Sequence, residues 1–233
     1  MIILISQKII TDKYGTELDA TEHSYIQYFK KIFFNPTVIP ILNDIDNAEK
    51  LTTICRPDLI VLAGGNNVNP LDANQRDTVN DLVPRRDRVE MYLIEYAIKN
   101  SINLLGICRG FQILNVFLGG TIHYFIRNHP PGKEHFVLYN AKQYTVNSYH
   151  DHAVFTDDLS PRLTPIAYCN DIIEAAYVND KTFKALGVQW HPEREVSGNE
   201  LFCILIDKIF GIKCIKECDE SDHFSRRNGD QTR

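Results

Sequence analysis

The chain has 233 residues, of which 44% are hydrophobic, and a formal net charge of −5. It has no basic stripe, which excludes nucleic acid as the expected partner. It also lacks the run of roughly 20 apolar residues of a membrane span and the basic start of a signal peptide. We therefore expect a cytoplasmic protein without a membrane partner, whose six scattered cysteines are reduced.

The first third of the chain contains short apolar runs and one amphipathic segment. Residues 1–6 predict a buried strand, and residues 22–34 carry apolar side chains at helical spacing. Apolar runs at 37–42 and 58–65 predict two more strands, the second ending in paired glycines. Strands that are apolar on both faces are typical of a parallel sheet covered by helices on both sides.

The middle of the chain continues this alternation. Residues 85–100 predict a helix whose apolar side chains form one stripe. Residues 102–108 predict another buried strand, and residues 109–120 predict a helix that stops at Gly119 and Gly120. The predicted fold is therefore α/β, with a mostly parallel sheet and helices on both faces.

Beyond residue 120 the apolar runs become short and are separated by turn residues. We interpret them as antiparallel strands added to the parallel core in the C-terminal half. They lie at 135–140, 143–150, 163–170, 172–179 and 184–190. A last helix is predicted at 199–211. We expect one domain over 1–211, followed by a loosely ordered polar tail at 212–233. The tail contains Cys214, Cys218 and His223, whose spacing matches no strong metal-site pattern.

One cysteine, Cys108, stands between Gly106 and Gly110, after a predicted strand and before a predicted helix. Such a sharp turn pushes its central side chain beyond the carboxyl edge of the sheet, and only small residues fit beside it. The helix dipole favours the thiolate there, and the Arg109 N–H is placed to stabilise an oxyanion. The pentapeptide alone leaves a nucleophile and an inert buried cysteine equally open.

A histidine and a glutamate in GVQWHPERE (187–195) favour the nucleophile. A thiol nucleophile needs a base, and the base needs an orienting group. His191 and Glu193 are two residues apart, so in extended chain they project to one side, and Pro192 prevents a helix there. An ordinary surface pair has the same pattern. Together with Cys108, however, the pair predicts a Cys–His–Glu triad.

Three blocks of the sequence, LLGICRGFQILNVFLGG, VNSYHDHAV and GVQWHPE, resemble the class I glutamine amidotransferase-like superfamily. Within it the chain is most similar to the free-standing γ-glutamyl hydrolases. That branch includes hydrolases of γ-glutamyl-γ-aminobutyrate and of γ-glutamyl-CDP-amidate, the latter used in building capsule phosphoramidate groups. The resemblance implies a flavodoxin-like core and a catalytic triad at Cys108, His191 and Glu193.

The same resemblance implies contacts around the nucleophile. Gly64 and Gly65 would line the oxyanion hole, with the Gly65 N–H beside that of Arg109. Gln112 follows Cys108 by four residues, one helical turn on the same side. We expect Gln112 to bind the α-amino or α-carboxylate end of a glutamyl group, and the alternative is a solvated helix residue.

The block at 146–154 supplies further candidates. We expect Ser148, Tyr149 and His150 to bind the amino-acid end of the substrate. Related enzymes often have Gln where this chain has His152, and the sequence assigns His152 no role. We expect no metal at this histidine-rich cluster and no cofactor, because thiol chemistry needs neither.

Two other groups near the predicted turns depart from a simple interpretation. Arg86, Asp87 and Glu90 resemble a family motif, but their default interpretation is an exposed helix face with pairs worth ~0.3–0.5 kcal/mol each. Asn66 and Asn67 stand where many relatives carry Asp. The sequence assigns no role to Asn66 or Arg86.

Taken together, these residues predict a hydrolase whose partner is a small-molecule γ-glutamyl amide. Cys108 would form a γ-glutamyl thioester, and water would then release glutamate. The first alternative is a glutaminase subunit that passes ammonia to a separate synthetase, since this sequence has no Walker-type phosphate loop. The second is a non-enzymatic module that kept the fold. The loops at 66–86 and 126–136 are expected to select the leaving group, and a homo-oligomer is left open.

Overall fold

The structure is a computed structural model that describes residues 1–70, 79–126, 132–179, 183–194 and 198–215. The strands, in chain order, are β1 (Ile2–Ser6), β2 (Lys8–Thr11), β3 (Glu17–Ala20), β4 (Thr37–Ile41), β5 (Leu59–Leu62), β6 (Asn103–Ile107), β7 (Lys133–Tyr139), β8 (Lys142–Ser148), β9 (Thr164–Cys169), β10 (Ile172–Asn179) and β11 (Lys184–Val188). The helices are α1 (His23–Ile32), α2 (Ile45–Cys55), α3 (Pro84–Asn100), α4 (Arg109–Phe117) and α5 (Asn199–Phe210).

Five strands form the parallel half of the main sheet, in the order β4-β1-β5-β6-β11. Every pairing among these five is parallel. Counted along the chain, this is the 2-1-3-4-5 order of flavodoxin-like sheets, which bind ligands outside the carboxyl ends of the strands. The predicted α/β fold with a mostly parallel core is confirmed.

Four more strands extend the sheet in the order β10-β9-β7-β8, and their pairings are antiparallel. The prediction of antiparallel additions is confirmed for these strands, but it is wrong for 184–190. That segment supplies β11, which pairs in parallel with β6 and antiparallel only with β10. A short apolar run does not reveal the direction of its neighbours. As a result, the carboxyl end of β11 lies beside that of β6.

Side chains of the parallel strands alternate between two cores. Ile3 and Ile5 of β1 pack with α1 and α5, whereas Leu4 packs with α2, α3 and α4. The helices predicted at 22–34, 85–100, 109–120 and 199–211 are confirmed as α1, α3, α4 and α5. Helix α2 and the separate β2–β3 hairpin were not among the predictions.

The segment after α5 lies against the domain for as far as it is described. The Ile215 N–H donates to the Ile32 carbonyl over 2.8 Å, and Ile212 and Cys214 pack against the core. Residues 216–233, including Cys218 and His223, lie outside the described residues, so the tail from 212 stays a prediction. Among the helices that the structure describes, none has the length and apolarity to cross a membrane.

Candidate active site

The predicted turn between β6 and α4 is sharp and strained. Cys108 has a positive φ of 53° with ψ −107°, a conformation that side-chain-bearing residues rarely adopt. Its N–H donates to the Val188 carbonyl of β11 over 2.8 Å, and its carbonyl accepts from Phe111 over 3.0 Å. These bonds fix the thiol at the carboxyl edge of the sheet.

The two flanking glycines are required by contact rather than by flexibility. A Cβ on Gly106 would lie 2.5 Å from the Gly110 carbonyl oxygen. A Cβ on Gly110 would lie 2.0 Å from the Leu62 carbonyl oxygen of β5. The first turn of α4 therefore rests directly on the sheet backbone, which explains why Cys108 needs glycine on both sides.

His191 and Glu193 form a buried pair beyond the end of β11. The His191 Nδ1 lies 2.6 Å from a Glu193 carboxylate oxygen, and the two side chains are at most 2% exposed. Asn147, at the end of β8, holds the His191 backbone at both polar groups, with bonds of 2.9 and 2.7 Å. The edge of the Tyr149 ring packs on the imidazole at 5.7 Å. The imidazole orientation is thus fixed from three sides.

The imidazole also bonds to the thiol, and this changes its protonation. Burial acts to lower the pKa of His191, but the charge and hydrogen bond of Cys108 and the bond to Glu193 outweigh it, raising that pKa to about 10. His191 is therefore protonated at neutral pH. The imidazole lies between Cys108 and Glu193, and its role in a triad stays a prediction.

Gln189 is a site residue that the sequence interpretation missed. Its side chain is fully buried, and its Nε2 lies 3.7 Å from the Cys108 sulfur as a hydrogen-bond donor. Its Oε1 lies 3.5 Å from the Gln112 Nε2. The available signal was the spacing of two residues to His191 in GVQWHPE, the same spacing that pairs His191 with Glu193.

The loop after β5 is held by one buried arginine. Arg86 donates to the carbonyls of Ala63 at 2.6 Å and Gly64 at 3.0 Å, and also to that of Gly65. Its Nε bonds to Glu90 at 2.9 Å, and both side chains are fully buried. The prediction of an exposed charged face is wrong, because the N-terminal half of α3 lies beneath this loop. Arg86 instead orients the backbone that faces Cys108.

A second buried arginine, Arg109, extends the same network beneath the turn between β6 and α4, which we call the elbow. The Arg109 guanidinium makes ion pairs with Asp87 and with Glu90, and all three side chains are at most 8% exposed. Burial raises the pKa of Asp87 despite the opposing charge of Arg109. Arg109 is therefore a structural ion whose backbone, rather than its charge, faces the predicted oxyanion position.

Gly64 and Gly65 have different surroundings. The Gly64 N–H donates to the Tyr25 hydroxyl at 3.0 Å, and a Cβ there would lie 2.5 Å from the His191 Cε1. Gly64 thus makes room for the imidazole. Within the described ranges, the N–H groups of Gly65 and Arg109 donate to no protein acceptor. Those two N–H groups are the candidate oxyanion donors, which remains a prediction.

Cys108 and His191 line one cavity of about 190 Å³. At about 30 Å³ per water, it holds roughly six water molecules, enough for a small amino-acid group. Three predicted site residues, Gly64, Ser148 and Glu193, lie behind its wall. The residues that line it are Gly65, Asn66, Asn67, Asp81, Cys108, Arg109, Gln112, Tyr149, His150, Asp151, His152, His191 and Arg194.

The predicted glutamyl-binding residues are mostly tied to the protein. Gln112 is 2% exposed and donates its Nε2 to the His152 carbonyl at 2.9 Å, so the alternative of a solvated helix residue is wrong. The His150 Nδ1 lies 3.1 Å from the same carbonyl. The Arg194 guanidinium stacks over the Tyr149 ring at 4.6 Å. These contacts give the cavity a rigid polar wall.

A larger cavity of about 620 Å³ lies next to the first, between the β2–β3 hairpin and the loop after β5. The two cavities share Gly65, Asn66 and Asp81. Asn66 joins the two walls, because its side chain bonds to the Ile9 N–H at 2.8 Å and the Ile9 carbonyl at 2.9 Å. The predicted leaving-group loops contribute only in part, and residues 71–78 and 127–131 lie outside the described residues.

The side chains that could coordinate a metal ion are dispersed within the described residues. Over the described ranges, no group of three or more His, Cys, Asp or Glu side chains is arranged to hold a metal ion.

Comparison with known proteins agrees with this geometry. The model of the Peptidase C26 family matches residues 2–137 and 131–193. A putative glutamine amidotransferase-like protein of Lactococcus lactis is 30% identical over 74% of this chain and 80% of its own length. The γ-glutamyl-CDP-amidate hydrolase of Campylobacter jejuni is 28% identical over 86% and 94%. The γ-glutamyl-γ-aminobutyrate hydrolase of Escherichia coli is 31% identical over 64% and 69%.

Solved structures support the same fold. The crystal structure of a glutamine amidotransferase from Thermotoga maritima matches with a TM-score of 0.58 at 21% identity, over 89% of this chain and 82% of that chain. At that identity the likeness concerns the fold alone. With the family model covering most of the chain, the chain belongs to the Peptidase C26 family and is a cysteine-dependent amide hydrolase.

Proposed function

We propose that the chain hydrolyses γ-glutamyl amides with Cys108 as nucleophile, His191 as general acid and base, and Glu193 as the orienting carboxylate. The observation that carries this proposal is the buried imidazole, which bonds to the thiol on one side and to Glu193 at 2.6 Å on the other. This relay lies at the carboxyl edge of a parallel sheet, beside the N–H groups of Gly65 and Arg109, which have no acceptor among the described residues.

In the first half of the reaction, the Cys108 sulfur attacks the γ-carbonyl carbon. The carbonyl oxygen becomes an oxyanion that accepts from the N–H groups of Gly65 and Arg109. Losing one such donor costs about 3 kcal/mol of transition-state stabilisation in comparable sites. His191 then gives its proton to the amide nitrogen, the C–N bond breaks, and the amine or amidate leaves. A γ-glutamyl thioester remains on Cys108.

In the second half, His191 is neutral and removes a proton from water. The resulting hydroxide attacks the thioester carbon, and a second oxyanion forms in the same position. When it collapses, the C–S bond breaks, Cys108 leaves as the thiolate, and glutamate is released. His191 keeps the proton taken from water, so the ion pair is restored. Glu193 holds the Nδ1 side of the ring throughout.

Two relatives support the glutamyl half of the substrate and leave the other half open. The similar proteins of Campylobacter jejuni and Escherichia coli are named for γ-glutamyl-CDP-amidate and γ-glutamyl-γ-aminobutyrate. The small cavity at Cys108 suits the shared glutamyl group, and the cavity beside the hairpin suits the leaving group. γ-Glutamyl-CDP-amidate, hydrolysed to glutamate and CDP-amidate for capsule biosynthesis, is one candidate substrate of this chain.

The test is a substrate panel with the purified chain. Released glutamate is measured with γ-glutamyl amines, a γ-glutamyl nucleotide amidate and glutamine. Cys108→Ala should lose activity on every substrate, while Cys169→Ala, which removes a partly buried thiol on β9, should retain it. Acid quench followed by mass spectrometry should find a glutamyl group on the Cys108 peptide.

Two outcomes would overturn the proposal. Full turnover by Cys108→Ala would exclude the nucleophile. Activity limited to glutamine, and dependent on an added synthetase, would support the glutaminase alternative instead.

A further inference from the structure

His152 lines the catalytic cavity but has no part in the relay. It is 2% exposed. The rings of Tyr124 and Phe125 pack edge-on against its imidazole, each at 5.0 Å. Its Nδ1 lies 3.1 Å from the backbone N–H of Phe125, which donates to it. The ring is therefore fixed in one orientation by packing and by a hydrogen bond.

This hydrogen bond determines where the ring proton lies. A nitrogen that accepts from an N–H carries no proton, so in neutral His152 the proton is on Nε2. Burial lowers the pKa of His152, although the Asp151 carboxylate at 3.5 Å from Nδ1 opposes this, and the ring stays neutral near pH 7. Within the described residues, the buried Nε2 has no hydrogen-bond partner. His152 thus holds a fixed N–H donor in the cavity wall without an acceptor.

His152 lines the same cavity as Cys108, and Gln112 connects the two along its wall. Gln112 lies four residues after Cys108 on α4, about 6 Å along the helix axis, and bonds to the His152 carbonyl at 2.9 Å. In a glutamyl group, four carbon–carbon bonds of about 1.5 Å separate the γ-carbonyl from the α-carboxylate, a span of about 5 Å. With its γ-carbonyl on the sulfur, a glutamyl group therefore extends into the cavity that Gln112 and His152 line.

We propose that His152 selects the substrate by donating its Nε2–H to the α-carboxylate of the glutamyl group. This inference rests on the proposed function. A carboxylate oxygen satisfies the buried donor, whereas an acyl group without the α-carboxylate leaves it unpaired, and an unpaired buried donor lowers affinity. His152 is a binding residue in this proposal and takes no proton from the reaction.

Two substitutions separate the donor from the packing role. In His152→Gln, the amide nitrogen extends to the place of Nε2, so it supplies the donor to the substrate. In His152→Asn, the shorter amide oxygen reaches only the place of Nδ1, so it accepts from Phe125 but offers the substrate nothing. His123→Asn, at an exposed histidine outside the cavity, is the control.

We expect His152→Asn to raise KM for a γ-glutamyl amide about tenfold or more, with kcat changed much less. His152→Gln should recover most of that loss, and His123→Asn should match the unaltered chain. A merely structural role, in which His152 only anchors Phe125, predicts the reverse order, with Asn better than Gln. That reverse order, or equal KM values for all variants, would overturn the inference.

A second measurement keeps this result separate from the proposed function. Binding of L-glutamate and of 4-aminobutyrate, which lacks the α-carboxylate, is measured by calorimetry on Cys108→Ala with and without His152→Asn. Preference for glutamate should shrink about tenfold in the double variant. If the unaltered chain hydrolyses no γ-glutamyl amide, the proposed function fails, and this binding assay still decides the role of His152. If the preference for glutamate over 4-aminobutyrate is unchanged in the double variant, the role of His152 is refuted and the proposed function is not affected.

Discussion

Two turns face each other across the catalytic cavity, and they are held in different ways. The elbow at Cys108 is held by backbone contacts, with Gly106 resting on the first turn of α4 and Gly110 resting on β5. The loop after β5 is held by the side chain of Arg86, which binds three consecutive carbonyls of that loop. The glycines that the elbow requires stand within its own five residues, although they rest on distant backbone, whereas the loop requires an arginine more than 20 positions away.

This difference teaches how such a site can be recognised. A turn whose required residues are adjacent in the sequence has a local sequence pattern. A turn that depends on a distant buried ion has none, because the arginine and its glutamate resemble an ordinary pair on a helix surface. Four experiments test this difference between the two turns.

The largest expected effect is at the loop. Arg86→Gln removes a buried guanidinium and leaves Glu90 without that partner, which should lower the free energy of unfolding by about 3–5 kcal/mol. Urea denaturation measures it. The matched control is Arg85→Gln, since Arg85 makes only an exposed pair with Glu17 at 2.8 Å and should lose less than about 1 kcal/mol. Equal losses for the two variants would refute the role assigned to Arg86.

The next largest loss of stability is expected at the turn around Cys108. Gly110→Ala places a Cβ 2.0 Å from the Leu62 carbonyl, so α4 must separate from β5. We expect the free energy of unfolding to fall by about 3 kcal/mol and the activity to be lost as well. Gly119→Ala serves as control, because its φ is +99° but no atom lies within 4 Å of the added Cβ, and about 1 kcal/mol should be lost there. Similar losses at both positions would mean that backbone strain, rather than contact, makes glycine necessary.

A third experiment leaves the backbone of both turns intact and changes the charge between them. The pKa of His191, about 10, depends on Cys108. In Cys108→Ala, His191 stays buried but loses the thiol that raises its pKa. The pKa of His191 should therefore fall well below 10. NMR titration of the imidazole measures it. Because the folded pKa exceeds the ordinary 6.5, the pair stabilises the fold fully below pH 6.5 and loses that effect as pH rises through about 10. An unchanged pKa would place the perturbing charge elsewhere.

The smallest expected loss of stability is at the surface ion pairs of Glu22. Glu22 bonds to Lys8 and to Arg194, each at 2.9 Å, which joins the hairpin to the segment after β11. Burial acts to raise the pKa of Glu22, but these two cations outweigh it and lower that pKa to about 2. The stabilisation is therefore present above pH 4.5 and is lost as pH falls toward 2.

Because the Glu22 side chain is 25% exposed and its pairs lie at the surface, Glu22→Gln should cost only about 0.2–1 kcal/mol at pH 7. Urea denaturation at pH 7 and at pH 3 measures the difference, and Glu17→Gln is the control at a more exposed pair. A loss as large as that expected for Arg86→Gln would show that this part of the surface, too, is held by a side-chain ion.

Much of the fold was predictable because its signals are local. Apolar runs between helical stripes predicted four strands of the parallel core, found as β1, β4, β5 and β6, although helix α2 was missed. The direction of β11 was not predictable, since an apolar run fits a parallel or an antiparallel neighbour equally well. The β2–β3 hairpin was also missed. Its role is to wall the second cavity, which depends on Asn66 across a gap of more than 50 residues.

The amino-acid pattern predicted the chemical groups of the site: a thiol at a glycine-flanked turn, and an imidazole with a carboxylate two residues on. Backbone geometry links those residues over short distances, so their spacing carries the information. Only the tertiary structure decided what surrounds them, namely the parallel β11 that brings His191 to Cys108, the donor from Gln189, the buried Arg86 and the fixed Nε2–H of His152. Those roles depend on burial and on contacts between distant segments, and burial is a property of the folded chain.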